Sequence, residues 1–136
     1  MRSPLRSVLA LLLVGTALSA CDRLVDHGEL AVAVSPTPAT TGQTLAVTVT
    51  NGTQRPATYN RCSDVKLTRQ DGTAWTVVLP APGTVCTAEV QTLAAGASFS
   101  TAFSLAGQRA GTYRVDFTPM MDGGQALARS DAFEVR

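Results

Sequence analysis

Val65-Lys66-Leu67-Thr68-Arg69-Gln70-Asp71-Gly72-Thr73-Ala74-Trp75-Thr76-Val77-Val78-Leu79 is two β-prone runs broken by an Asp-Gly pair. How that break turns decides which side chains are buried. A two-residue loop at Asp71-Gly72 would pair Leu67 with Thr76 and set Trp75 on the face opposite Leu67. A three-residue loop avoids this. With Gln70-Asp71 in a type I turn and Gly72 in the left-handed bulge position, Arg69 opposes Thr73, Leu67 opposes Trp75 and Val65 opposes Val77. All four apolar residues then share one face, and Trp75, the chain's single tryptophan, reads as core rather than as a ligand platform.

The same texture extends outward in both directions. Runs rich in Val, Thr, Phe and Leu end at Gly, Pro or Asn-Gly, and none holds a helical period long enough for an amphipathic helix. The strands expected are Glu29–Ser35, Thr44–Asn51, Asp64–Arg69, Thr73–Leu79, Val85–Thr92, Ser98–Leu105, Thr112–Thr118 and Gln125–Val135. Leu45, Val47 and Val49 alternate with Ala46, Thr48 and Thr50, and Tyr113, Val115 and Phe117 with Arg114, Asp116 and Thr118, so each strand has one wet face. Phe99, Thr101, Phe103 and Leu105 form a third stripe, and Phe133 with Val135 a fourth. The fold class is all-β, an antiparallel sandwich of seven to eight strands.

At 136 residues, 45% of them hydrophobic and 15% charged, the chain is sized for one modest domain and is too apolar for disorder. A formal charge of +1 with no run of like charge excludes a nucleic-acid footprint.

Arg2 and Arg6 precede an apolar run from Val8 to Ala20 that closes on small residues, the layout of a secretory signal. As a helix that run would cover about 20 Å against about 30 Å of hydrocarbon, too short to span. Leu18-Ser19-Ala20-Cys21 resembles the lipobox of bacterial lipoproteins. The resemblance implies cleavage after Ala20 and acylation of Cys21 with chains such as palmitate, enough for stable anchoring. Residues 1–20 would then be signal peptide, 21–28 a short polar tether and 29–136 the domain. Of the 11 basic residues, Arg2 and Arg6 leave with the signal, so nine face 10 acidic ones in the mature chain. Asp22 resembles the inner-membrane retention signal of enterobacterial lipoproteins.

With Cys21 given to lipid, Cys62 and Cys86 are an even pair in an exported domain, hence a disulfide candidate. Two thiols, one histidine and no Cys-x-x-Cys spacing do not make a metal site, and no cofactor is expected.

Thr48-Val49-Thr50-Asn51, Leu67 with Asp71-Gly72-Thr73-Ala74-Trp75, Leu93-Ala94-Ala95-Gly96-Ala97-Ser98 and Gly111-Thr112-Tyr113-Arg114-Val115 together resemble the landmarks of a bacterial immunoglobulin-like domain. Tyr113 stands where such sandwiches carry a tyrosine corner. The resemblance implies a tethered or displayed binding or spacer module.

In that strand order Cys62 and Cys86 fall at the end of the sandwich carrying the loops 52–61 and 119–124. Those loops supply Arg55, Tyr59, Asn60, Arg61, Met120 and Met121 as candidate binding residues, because Tyr and Arg anchor interfaces and adjacent methionines adapt to apolar surfaces. The expected partner is an envelope protein or cell-wall component. The single histidine, His27, lies in the tether, so no oriented general base is available and no enzyme is expected. Asp64, Asp71, Glu89, Asp116 and Glu134 read as solvated carboxylates, and Asn51-Gly52-Thr53 reads as a strand end rather than a glycan acceptor. Two further function classes stay open: a carbohydrate module, which needs an exposed aromatic, and a protease inhibitor, for which Pro80–Thr84 is the available projecting segment.

Overall fold

The computed structural model describes residues 28–136; the expected signal peptide, the lipobox-like segment with Cys21 and the expected tether through His27 lie outside the described residues. In chain order the strands are β1 Leu30–Ser35, β2 Thr44–Asn51, β3 Ala57–Tyr59, β4 Val65–Asp71, β5 Ala74–Leu79, β6 Gln91–Leu93, β7 Ser98–Ser104, β8 Gly111–Phe117, β9 Met120–Met121, β10 Gly124–Gln125, β11 Ala128–Arg129 and β12 Phe133–Val135. They pair antiparallel into a sheet β1-β2-β7, a facing sheet β11-β8-β4-β5 with β12 also on β8, and a small sheet β10-β9-β3-β6 across one end.

The two large sheets close on the expected stripes. Leu45, Val47 and Val49 of β2 and Tyr113, Val115 and Phe117 of β8 are fully enclosed, with Val65, Leu67, Leu105, Phe133 and Val135 between them. The amino-terminal segment stitches the sheets together. After pairing with β2, the chain passes Pro36 and Pro38, which lack an N–H to extend a ladder. It then crosses to β12, where Ala39 donates to the Glu134 carbonyl at 2.9 Å and accepts from Arg136 N at 3.0 Å. On β8, Tyr113 turns its hydroxyl back to donate to the Arg109 carbonyl at 2.6 Å. Between β11 and β12, Ser130 stays on β8: its N donates to the Val115 carbonyl at 2.9 Å, and its hydroxyl, in place of a carbonyl, accepts from Val115 N at 2.9 Å.

The central hairpin differs from its expected form. Its loop is Gly72-Thr73, with Asp71 opposite Ala74, Gln70 opposite Trp75 and Arg69 opposite Thr76. Gly72 alone takes positive φ (65°), the pattern of a type II′ turn whose twist suits a two-residue hairpin. The bulge lies lower down, between Leu67 and Thr68, and returns Leu79 to the position opposite Leu67. Trp75 therefore lies on the outer face, half-buried, and is not a core residue.

Two other expected strands are also corrected. Of Val85–Thr92 only the end joins a ladder, as part of β6, because the residues before it have no apolar neighbour: Val85 is 94% and Val90 66% exposed. Gln125–Val135 is three short strands rather than one.

Asn51 closes β2 with a fully buried amide. Its Nδ2 donates to the carbonyls of Arg55 (2.7 Å) and Leu93 (3.0 Å), and its Oδ1 accepts from Thr53 N (3.1 Å) and Thr53 Oγ1 (2.6 Å). A glycan has no access to that nitrogen. Replacing Asn51 by Ala orphans these partners and should cost about 3 kcal/mol. The urea midpoint measures it, and a loss near zero would show that the amide is dispensable.

Candidate functional site

The loops 52–61 and 119–124 meet, as expected, but they do so as strands. β3 pairs with β6 through Ala57–Leu93, Thr58–Thr92 and Tyr59–Gln91, and on its other side Thr58 opposes Met120 of β9. β9 and β10 form a tight hairpin whose turn residues Asp122 (φ 52°) and Gly123 (φ 76°) give the Asp-Gly type I′ geometry. The turn presents Asp122 to Arg55, whose Nη1 donates to its carboxylate. That hydrogen bond raises the already high pKa of the Arg55 guanidinium, so Arg55 is a fixed, exposed cation.

The candidate residues fall into different roles. Tyr59 is a correction: it is 4% exposed, stacks on Phe99 with centroids 4.4 Å apart, meets Phe117 edge-on at 5.5 Å and donates its hydroxyl to Gln91 Oε1 at 3.0 Å. Alternation along β3 turns Ala57 and Tyr59 inward and only Thr58 outward, so Tyr59 cannot anchor a partner. Asn60 organises the turn before β4. Its Oδ1 accepts from Cys62 N (2.9 Å) and Ser63 N (3.1 Å), and its Nδ2 donates to the Thr87 carbonyl. Arg61 is exposed, with its guanidinium 5.5 Å from the Phe99 ring centre. Met121 packs against the core, while Met120 stays 45% exposed.

A disulfide joins Cys62 to Cys86 with Cα atoms 5.6 Å apart, beside the Asn60 turn. With Asn60 it fastens the irregular segment Pro80–Val90 to this end.

Sequence reasoning missed two apolar contributors here, Leu127 (51% exposed) and the Val85/Val90 pair. Their unpaired apolar character inside expected strands was the available signal. A groove of about 500 Å³ lined by Gly28, Leu30, Thr53, Met121 and Leu127 runs across the same end. The described chain enters there. A Cβ on Gly28 would lie 2.5 Å from the Gly52 carbonyl oxygen, so the close approach requires glycine, and Gly52 N donates to Glu29 O at 3.1 Å.

A second polar cluster covers the outer face of the β8 sheet. The Arg114 guanidinium sits 4.1 Å from the Trp75 ring centre and its Nε is 2.9 Å from Asp116 Oδ1, which Arg129 approaches at 3.6 Å. One face of Trp75, the surface on which a sugar would stack, is thus taken by a guanidinium. Among the described residues no group of His, Cys, Asp and Glu could hold a metal ion.

No family model and no curated protein matches the chain. Among solved structures it is similar to a beta-glucosidase from Listeria innocua in complex with glucose, at 20% identity and a TM-score of 0.34. The match covers 79% of this chain and 16% of the enzyme's, so the chain spans about a sixth of that protein's length. At that score the likeness carries no argument about activity.

Since Trp75 is the only tryptophan, fluorescence reports on it alone. Arg114→Ala should shift its emission to the red and increase acrylamide quenching; an unchanged spectrum would contradict the stack. Reducing Cys62–Cys86 should lower stability by about 3 kcal/mol for a 24-residue loop and open Pro80–Val90 to proteolysis. Limited digestion with and without reductant reads both effects.

Proposed function

We propose that the chain is a lipid-anchored protein of the bacterial cell envelope whose immunoglobulin-like sandwich is a non-catalytic interaction module. The lipobox-like Leu18–Cys21 and the Cys62–Cys86 bond, which belongs to an oxidising compartment, support export. The Tyr113 hydroxyl on the Arg109 carbonyl and the first segment's passage from β2 to β12 support the immunoglobulin-like reading.

The observation that carries the proposal is where Gly28 enters. It packs on Gly52, at the end that holds Arg55, Met120, Asp122 and Leu127. From Cys21 to Gly28 the chain can reach at most about 25 Å. Acylated at Cys21, the protein holds this end within that distance of the bilayer, so its partner is a protein at the membrane surface. Asp22 favours the inner membrane.

A photocrosslinker at Met120 or Leu127 should capture a membrane-proximal protein in cells, whereas one at Thr48, on the outer face of β2, should not. Cys21→Ser should move the protein from the membrane to the soluble fraction and abolish the crosslink. Identical products from all three positions, or unchanged membrane fractionation of Cys21→Ser, would overturn the proposal.

One observation favours a second reading as a protease inhibitor. Val85 is 94% exposed immediately before the disulfide-bonded Cys86, in a segment also held at Thr87 by Asn60. A fastened, projecting loop of this kind resists cleavage when it occupies a protease. Its survival in the presence of envelope proteases, together with their inhibition, would favour this reading.

A further inference from the structure

Among the described residues β7 pairs only with β2, leaving one full edge open. Open edges are normally blunted by charge, proline or a bulge. Ser98–Ser104 has none of these: its sequence is Ser-Phe-Ser-Thr-Ala-Phe-Ser, and its register with β2 is unbroken over seven residues. Leu105 N donates to Gln43 O and Ala97 O accepts from Asn51 N, so the odd-numbered residues direct their backbone groups at β2. By the alternation of an antiparallel ladder, Ser98, Ser100, Ala102 and Ser104 direct theirs outward.

The sequence is also nearly its own mirror about Thr101. We infer that the free edge of β7 pairs antiparallel with β7 of a second copy of this chain, on a two-fold axis through Thr101. In that register Ser98 opposes Ser104 and Ser100 opposes Ala102 as hydrogen-bonded pairs, which satisfies every outward backbone group. Phe99 opposes Phe103 and Thr101 opposes its own copy in the closer, non-hydrogen-bonded pairs. Phe99 and Phe103 are only half-buried in the single chain, and the pairing covers their remaining apolar area. The outer face stays small and polar, and on the inner face the exposed Arg61 side chain over Phe99 would shift to admit Phe103 of the second copy.

The other edges do not offer this. β5 is distorted by the bulge opposite Leu67 and Thr68 and runs into Pro80. The free side of β1 looks onto Ser130–Phe133 across a cleft.

Sedimentation of the full chain in mild detergent, over a concentration series, should show a monomer–dimer equilibrium. Ala102→Pro removes an outward N–H without touching the β2 ladder and should weaken association on the order of tenfold or more, with circular dichroism unchanged. Ala102→Ser should leave association intact. In Thr101→Cys the two copies' Cα atoms at this position would stand about 4.5 Å apart, within disulfide range, so oxidation should give a covalent dimer whose peptide map joins the same tryptic fragment from each copy. A parent that stays monomeric, or a dimer that Ala102→Pro leaves unchanged and Thr101→Cys does not link, would overturn the inference.

Discussion

The buried amide of Asn51 is the constraint on which the small-sheet end of the sandwich depends. It stands where β2 must stop and a chain of short elements begins, and its four hydrogen bonds reach Thr53, Arg55 and Leu93 at once. Leu93 belongs to β6, and β6 holds β3, which in turn holds β9. None of these strands exceeds three residues. Such strands are not stable alone, because each contributes too few ladder bonds to offset the entropy of ordering it. They persist because Asn51 fixes one side of the group, Tyr59 and Met121 pack into the core on another, and the Cys62–Cys86 bond holds the segment that leads into β6.

What could be read from the sequence follows the same division. β2, β7 and β8 are long enough for alternation to show, and the residues it assigns to the core of β2 and β8 are fully enclosed. β3 carries no local signal, since Ala57–Tyr59 is a strand only through partners more than 25 residues away, and β9 pairs locally only with the two-residue β10, too short for alternation to show. Hence Tyr59, a plausible anchor when its segment is read as a loop, is a core residue once that segment alternates. The hairpin of β4 and β5 fails differently. Apolar matching favours a three-residue loop that buries Trp75, whereas the loop formed is Gly72-Thr73, one residue beyond the Asp71-Gly72 pair. The turn adopted puts positive φ on Gly72, where it costs least, and a bulge farther down restores Leu79 to the core. Nothing in the local sequence marks that bulge.

Trp75 on the outer face needs another way of being covered, and the basic residues provide it. Arg114 lies over the ring and is itself held by Asp116, while at the hairpin Arg69 grips Asp71 through Nε and Nη2, both at 3.0 Å. The Arg69 hydrogen bonds hold the Asp71 carboxyl below the ordinary carboxylate range. These carboxylates serve as partners that orient guanidinium groups. A sheet face that sequence alternation reads as simply wet is thus a laminated surface of one indole and several fixed charges.

If Cys21 is acylated as proposed, the end and the edge of the sandwich place different demands on how the domain sits at a bilayer. Such an anchor, joined to the domain at Gly28, would bring the small sheet toward the bilayer and let a single copy stand with its strands upright. Antiparallel pairing through β7 reverses one copy relative to the other, so the two Gly28 ends point in opposite directions. Both tethers can then reach one bilayer only if the strands lie along its surface, and a reach of about 25 Å permits this for a sandwich whose sheets pack about 10 Å apart. Upright and recumbent arrangements expose different surfaces: the first hides Met120 and Leu127 near the lipid, the second leaves both ends accessible from the side. In that arrangement the inferred self-association of β7 would govern whether the Arg55–Asp122 end meets the proposed partner from within the membrane plane or from beneath the domain.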